Sequence, residues 1–199
     1  WFHFASRLLP YQFAQRAYRT QSSGAMQALI AAAAELVCGL RNALGARIVL
    51  ISAYEPGEAP WEDDLPWLRA VQAAVGADPE VQVIDRPLTL PDYFGVMAQL
   101  DLMIGMRLHA ALIALRFGVP ALNVSYTLKG GAIMRHLGLA DRVVDLEQWL
   151  GAPQRLVEHS AQILADAPAE RARVHAAVQQ AIDMNFTLLR TLISASERP

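Results

Sequence analysis

The chain has 199 residues, of which 54% are hydrophobic and 18% are charged, and its formal net charge is −2. This length fits one large domain with its own core, so we predict a single domain over residues 1–199. The weak negative charge argues against nucleic acid as a partner and limits any contact with an anionic membrane to a peripheral one. The single cysteine, Cys38, cannot form an internal disulfide, which favours a cytoplasmic location.

Strand and helix patterns alternate along the chain. Strands are predicted at 1–6, 46–53, 81–85, 102–105, 121–126 and 142–146. Helices are predicted at 25–43, 62–75, 91–99, 107–117, 130–137 and 150–165, followed by one long closing helix at 168–195. This alternation predicts an α/β fold with a doubly wound, Rossmann-like parallel sheet of about six strands. In the common order 3-2-1-4-5-6, strands one and four are neighbours.

Two segments are interpreted as structural. The apolar run AMQALIAAAAELVCGL at 25–40 is interrupted by Glu35 and is shorter than the roughly 20 residues that span a bilayer, so we expect no transmembrane segment. The acid-rich stretch YEPGEAPWEDD at 54–64 follows a predicted strand and is expected to be a solvated loop, although this place could also border a site.

Basic side chains follow three of the predicted strands. Arg7 follows the first, Arg107 and His109 follow the fourth, and Lys129, the only lysine among 17 basic residues, follows the fifth. Because ligands bind outside the carboxyl ends of the strands in such sheets, we expect these four side chains to converge on one crevice. No carboxylate occurs between residues 102 and 140, so no acid nearby in the sequence neutralises this charge.

This pattern favours an anion site. Arg107 and His109 are expected at the amino end of a helix, where the dipole disfavours a further cation by a few tenths to about 1 kcal/mol. An anion reverses that effect, because helix amides, an arginine fork and an ammonium together bind phosphate or carboxylate. The structural alternatives stay open, since an arginine after a strand often covers its own helix and a lone histidine is often structural. No metal site is expected, because partners at ligand spacing are lacking for His3, His136, His159 and His175.

The segment DLMIGMRLHAALIALRFGVPALNVSY resembles the carboxyl-terminal domain of the polysaccharide pyruvyl transferase family, and the likeness is specific over residues 95–139. The matching positions are Gly105, Arg107, Leu108, His109, Gly118, Val119, Pro120, Ser125, Tyr126 and Lys129. The family commonly has Tyr-Asp-Pro-Lys at the end of this pattern, whereas this chain has Tyr-Thr-Leu-Lys at 126–129. The lysine is therefore kept in a turn of different sequence, and because it precedes Gly130 and Gly131 we expect Lys129 to lie in a loop.

The resemblance implies one half of a GT-B-like two-domain enzyme whose amino-terminal partner domain is absent from this chain. It implies transfer of a pyruvyl group from phosphoenolpyruvate, as donor substrate and without a cofactor, onto a sugar of a cell-surface polysaccharide or its lipid-linked precursor. Arg107, His109 and Lys129 are the implied catalytic residues, with His109 the candidate general acid. The same three residues are also implied to bind phosphoenolpyruvate, together with Arg7, Gly105 and Tyr126.

Two other functions remain possible at this point. A nucleotide-sugar glycosyltransferase or epimerase could use the same half-fold, but such sites usually hold a ribose with a carboxylate, and the sequence has none in or near the helix after the fourth strand. The altered turn at 126–129 also fits an inactive anion-binding or assembly module.

Overall fold

The computed structural model describes residues 23–53 and 64–196. In these ranges the helices are α1 Ser23–Leu44, α2 Leu65–Val75, α3 Leu90–Ala98, α4 Leu108–Arg116, α5 Leu128–His136, α6 Leu146–Gly151, α7 Pro153–Ala165 and α8 Ala167–Ser196. The strands are β1 Ile48–Ile51, β2 Val81–Ile84, β3 Met103–Gly105, β4 Ala121–Ser125 and β5 Val143–Asp145. A single 3₁₀ turn, Ala140–Arg142, precedes β5.

All strand pairs in the described residues are parallel, which confirms the α/β class. β1 pairs with β2, and β4 lies between β3 and β5. In the predicted order 3-2-1-4-5-6, strand two lies beside strand three, and strand five lies between strands four and six. The observed neighbours agree with both of these predictions. However, the described strands form two sheets of two and three strands, and one sheet of six is not confirmed. The strand predicted at 1–6, which that order places between the two sheets, lies outside the described residues, as does Arg7.

The core is continuous between the sheets and the helices that cover them. One cluster joins Leu36 and Val37 of α1 to Val81 of β2 and to Leu122 and Val124 of β4. A second cluster contains the buried side chains of Ala111 and Leu115 of α4, Met134 of α5 and Val174 of α8, and in it α4 packs against α8. Each large apolar side chain buried in this way contributes on the order of 1.5–3 kcal/mol.

The alanines of α4 let this helix lie close to the sheet. Ala110, Ala111 and Ala114 are buried on its inner face. The helix ends before Gly118, whose φ of +73° lies in the left-handed region and turns the chain into β4. The strand, tight turn and helix at residues 103–118 therefore leave the start of α4 directly above the end of β3.

Helix α1 is longer than the apolar run suggested. Gly24–Leu44 is long and apolar enough to cross a membrane, contrary to the expectation from the sequence. Its inner face, however, packs in the core through Ala32, Ala33, Leu36, Val37 and Leu40. We therefore interpret α1 as a core helix.

Helix α8 is packed in its first half and exposed in its second. Val174 and Ala177 are buried against the core. Further along, the large side chains exposed by more than half are Phe186, Leu188, Leu189 and Ile193. No other helix or strand in the described residues exposes as many large apolar side chains.

A charged cluster ties α7 and α8 to the chain that enters β5. Arg142 is only 5% exposed, forms a short ion pair with Glu170, and has its Nη1 3.3 Å from Nε2 of His159. Asp141 accepts two hydrogen bonds from Arg173, at 2.6 and 2.8 Å, and this arginine holds the pKa of Asp141 below its usual value. Burial, helped by the charge of Arg142, lowers the pKa of His159.

We expect His159 to make the protein less stable in mild acid. Its folded pKa lies below the unfolded value of about 6.5, so on acidification the unfolded state takes up the proton first. The contribution of neutral His159 to the free energy of unfolding is therefore complete above the unfolded pKa of about 6.5. This contribution is lost as the pH falls towards the folded pKa. Asp141 adds a similar loss only below about pH 4, where the unfolded carboxylate is protonated. Unfolding free energies between pH 7.5 and 5 should fall more steeply in the wild type than in His159→Gln, which keeps an acceptor but does not titrate; parallel curves would contradict this.

Candidate functional site

The carboxyl ends of β3 and β4 form the edge on which the candidate site is built. Gly105, the last residue of β3, stands opposite Asn123 of β4 in the parallel register. The buried Asn123 side chain donates a hydrogen bond of 3.0 Å from Nδ2 to the Gly105 carbonyl. A Cβ on Gly105 would lie 3.4 Å from the Arg107 carbonyl and 3.4 Å from the Met103 side chain. Gly105 is thus a buried residue whose surroundings leave room for little more than a methyl group.

Arg107 and His109 lie where the sequence predicted them, at the amino end of a helix. Arg107 is the N-cap of α4 and makes no capping hydrogen bond with its side chain. His109 is in the first turn and is exposed. The first backbone amides of a helix lack partners within the helix, so this end of α4 can donate hydrogen bonds to an anion.

Arg107 is paired with a carboxylate that is distant in the sequence. Its Nε and Nη2 donate to the two carboxylate oxygens of Asp64, at 2.9 and 2.7 Å, across a separation of 43 residues. The side chains are 36% and 27% exposed, so the pair is partly shielded from water. No acid nearby in the sequence neutralises Arg107, but a distant one does, because folding brings Asp64, the end of the acid-rich 54–64 segment, to the start of α4.

Tyr93 of α3 is affected by the negative charge of Asp64. Burial first, and the negative charge of Asp64 second, raise the pKa of Tyr93 to about 12. Its phenol is therefore protonated at physiological pH and can act only as a neutral hydrogen-bonding group. The sequence analysis did not single out Tyr93.

Lys129 lies in the first turn of α5, not in a loop as its two following glycines suggested. It is exposed, and among the described residues it has no carboxylate within ion-pair distance. Tyr126 and Leu128 beside it are 45% and 92% exposed. The N-cap Thr127 makes no capping bond with its side chain. The start of α5 therefore presents helix amides and one ammonium to solvent.

Gly130 allows α5 to start so close to β4. A Cβ at this position would meet Oδ1 of Asn123 and would lie 2.7 Å from Oγ of Ser125. That Asn123 oxygen is buried and has no hydrogen-bond partner in the described residues. Ser125 uses its hydroxyl to donate to the Thr127 carbonyl at 2.7 Å. The buried Asn123 amide thus lies between the end of β3, to which it donates, and the first turn of α5.

The structure places five of the six predicted site residues on one edge: Gly105, Arg107, His109, Tyr126 and Lys129. Arg7 lies outside the described residues. Asp64 and Asn123 were missed, although each carried a signal. Asp64 follows a predicted strand and begins a helix, and Asn123 is the one amide in the apolar run of β4. Roles for these residues in ligand binding or catalysis stay predictions.

Two comparisons with known proteins found a likeness, and the first of them covers this edge up to residue 127. The family model described as polysaccharide pyruvyl transferase matches residues 16–127, a range that contains Gly105, Arg107 and His109 and ends before Lys129. The amylovoran biosynthesis protein AmsJ of Erwinia amylovora is 38% identical over 52 residues. That match covers 26% of this chain and only 12% of AmsJ, so the likeness concerns a small part of the longer protein.

We expect Gly130→Ala to destabilise the fold, because the added methyl group must displace Asn123, Ser125 or the start of α5. Overpacking of this kind costs typically about 1–3 kcal/mol. Gly95→Ala is the matched control, since Gly95 is an exposed glycine inside another nine-residue helix and its Cβ would meet nothing within 4 Å. It should be neutral or stabilising by up to about 1 kcal/mol. Unfolding in urea measures both, and an equal effect of the two changes would refute the close approach.

Proposed function

The chain belongs to the polysaccharide pyruvyl transferase family, and from this premise we propose that it takes part in moving a pyruvyl group from phosphoenolpyruvate onto a sugar of a cell-surface polysaccharide or its lipid-linked precursor. The observation that carries the proposal is the family match over residues 16–127, which includes the edge with Arg107 and His109. The likeness to a protein named for amylovoran biosynthesis supports a polysaccharide acceptor.

The chemistry of the edge fits a donor with two anionic groups. Phosphoenolpyruvate carries a phosphate and a carboxylate, and each needs donors of hydrogen bonds. The starts of α4 and α5 offer two sets of helix amides, and Lys129 adds an exposed ammonium. Arg107 adds directed N–H donors, but its charge is compensated by Asp64.

In the proposed reaction a proton adds to the methylene carbon of phosphoenolpyruvate and creates an oxocarbenium-like centre at the neighbouring carbon. One sugar hydroxyl attacks that centre, and a second hydroxyl of the same sugar then replaces the phosphate, so that two C–O bonds form and one breaks. Of the two hydroxyl protons, one balances the proton taken by the methylene carbon and the other leaves on phosphate. His109 is the proposed general acid, because imidazole exchanges protons near neutral pH. Lys129 and Arg107 would stabilise the departing phosphate.

We also propose that the two described sheets belong to one doubly wound sheet of about six strands, and that this domain forms one half of a GT-B-like cytoplasmic enzyme. The strand neighbours on both sides support the first point. The apolar end of α8, at Phe186–Ile193, is a surface that a second domain could cover. Since the acceptor would then bind between two domains, the 199 residues alone should bind the donor without turnover.

One observation favours a second candidate, a nucleotide-sugar glycosyltransferase or epimerase. The structure brings the Asp64 carboxylate to the edge, where the sequence had none nearby. A carboxylate at this position could hold ribose hydroxyls. The bidentate bond to Arg107 already engages both oxygens of Asp64, however, and the family match supports the first candidate.

Calorimetric titration with phosphoenolpyruvate and with UDP separates the two candidates. We expect the complete protein to bind phosphoenolpyruvate and to form a pyruvyl ketal on a polysaccharide or lipid-linked acceptor. His109→Ala should keep most of the donor affinity and lose about 10²–10⁴-fold in turnover, the usual contribution of general acid catalysis. Binding of UDP alone would contradict the proposal, and normal turnover of His109→Ala would remove the histidine from the chemistry.

Lys129→Arg should reduce turnover while the fold stays intact. The position is exposed in the first turn of α5, so the free energy of unfolding should change by no more than about 0.5 kcal/mol. A guanidinium keeps the charge but is broader, planar and unable to release its proton, so we expect a loss of at least about tenfold, or 1.4 kcal/mol in the barrier. Arg135→Lys, the opposite exchange at the exposed end of the same helix, is the control and should be silent. Wild-type turnover in Lys129→Arg would reduce Lys129 to a source of charge.

A further inference from the structure

Bidentate aspartate–arginine pairs occur at both edges of the described sheets. Asp78 with Arg41 and Asp141 with Arg173 lie before β2 and β5, at the amino edge. Asp64 with Arg107 lies at the carboxyl edge, where the candidate site is. The amino-edge pairs join helix to loop far from the site, so a structural role accounts for them. The pair of Asp64 with Arg107 lies beside the candidate site, so its role there has to be considered separately.

Asp64 does not cap the helix that it begins. An N-cap side chain usually accepts from a backbone amide of the first turn when its own backbone is extended, as Thr89 and Asp145 do at the N-caps of α3 and α6. Asp64 is the N-cap of α2, but its backbone is helical, with φ −78° and ψ −19°, and its side chain makes no such bond. Both oxygens of its carboxylate accept from Arg107 instead.

The pair also restricts the guanidinium. An arginine side chain has many rotamers, and two parallel hydrogen bonds fix both the place and the plane of its guanidinium. Because Arg107 is the N-cap of α4, its backbone is held by the turn after β3 while its side chain is held by Asp64. The donors of Arg107 thus have a defined direction before any ligand arrives.

We propose that Asp64 is a positioning residue for donor binding, one that orients the Arg107 guanidinium at the carboxyl edge. This inference rests on the proposed function, because the oriented arginine serves the phosphate or carboxylate of phosphoenolpyruvate. Arg107 then contributes direction rather than net charge, since the carboxylate compensates it. Long-range attraction for the donor comes from Lys129 and the helix starts.

The test uses the complete protein and compares Asp64→Asn and Asp64→Glu with Asp141→Asn, which removes a bidentate aspartate from the opposite edge. Calorimetry with phosphoenolpyruvate and with inorganic phosphate gives affinities, and steady-state kinetics gives KM and kcat separately. We expect Asp64→Asn to weaken donor affinity and raise KM by about tenfold or more, and to lower kcat as well, because Arg107 is also proposed to stabilise the departing phosphate. Asp64→Glu, which keeps the carboxylate, should recover part of the affinity. Asp141→Asn should change Tm without changing KM.

Each outcome has a distinct meaning. Unchanged affinity in an Asp64→Asn protein that melts like the wild type would overturn the inference and leave the proposed function standing. Tighter binding would also overturn it, because Asp64 would then compete with the donor for Arg107. A wild-type protein that binds neither probe would refute the proposed function itself, and the inference would fall with it. If Asp64→Asn does not fold, Asp64→Ser, which also removes the carboxylate, carries the test, and wild-type KM in that variant counts against positioning.

Discussion

The burial of β4 is the constraint on which the rest of the structure depends. All five of its residues are buried, with a parallel strand on each side. Its one amide, Asn123, cannot reach water and bonds to the carbonyl of Gly105 on β3. Because the next helices must start directly above these strand ends, α4 and α5 begin side by side. The basic residues of their first turns are brought to one edge by the packing of apolar residues below them.

The same edge combines two kinds of positive charge. Arg107 is compensated by Asp64 and has a defined orientation, whereas Lys129 is exposed and has no acidic partner in the described residues. At the start of α5 the dipole disfavours the uncompensated ammonium of Lys129 by up to about 1 kcal/mol. In the proposed function, a bound dianion would reverse the sign of this interaction and would accept from the amides at both helix starts.

Local pattern was sufficient to predict most elements but not the contacts between them. The spacing of apolar residues placed β4 at 121–126 and α4 at 107–117, within one residue of the observed bounds at each end. It could not show that Asp64 meets Arg107, because periodicity contains no information on pairs 43 residues apart. It also misread Lys129, since a pair of glycines usually indicates a loop. Here Gly130 is required inside the helix by the nearness of Asn123.

The exposed ammonium of Lys129 has a practical consequence. Since the 199 residues contain one lysine, an amine-reactive label has a single side-chain target in this chain. That target lies on the candidate site and is open to solvent. A ligand bound at the starts of α4 and α5 would shield this amine, so the rate of labelling would report whether the edge is occupied. The residue composition has thus left the protein with one reactive side-chain amine whose protection reads out the candidate site.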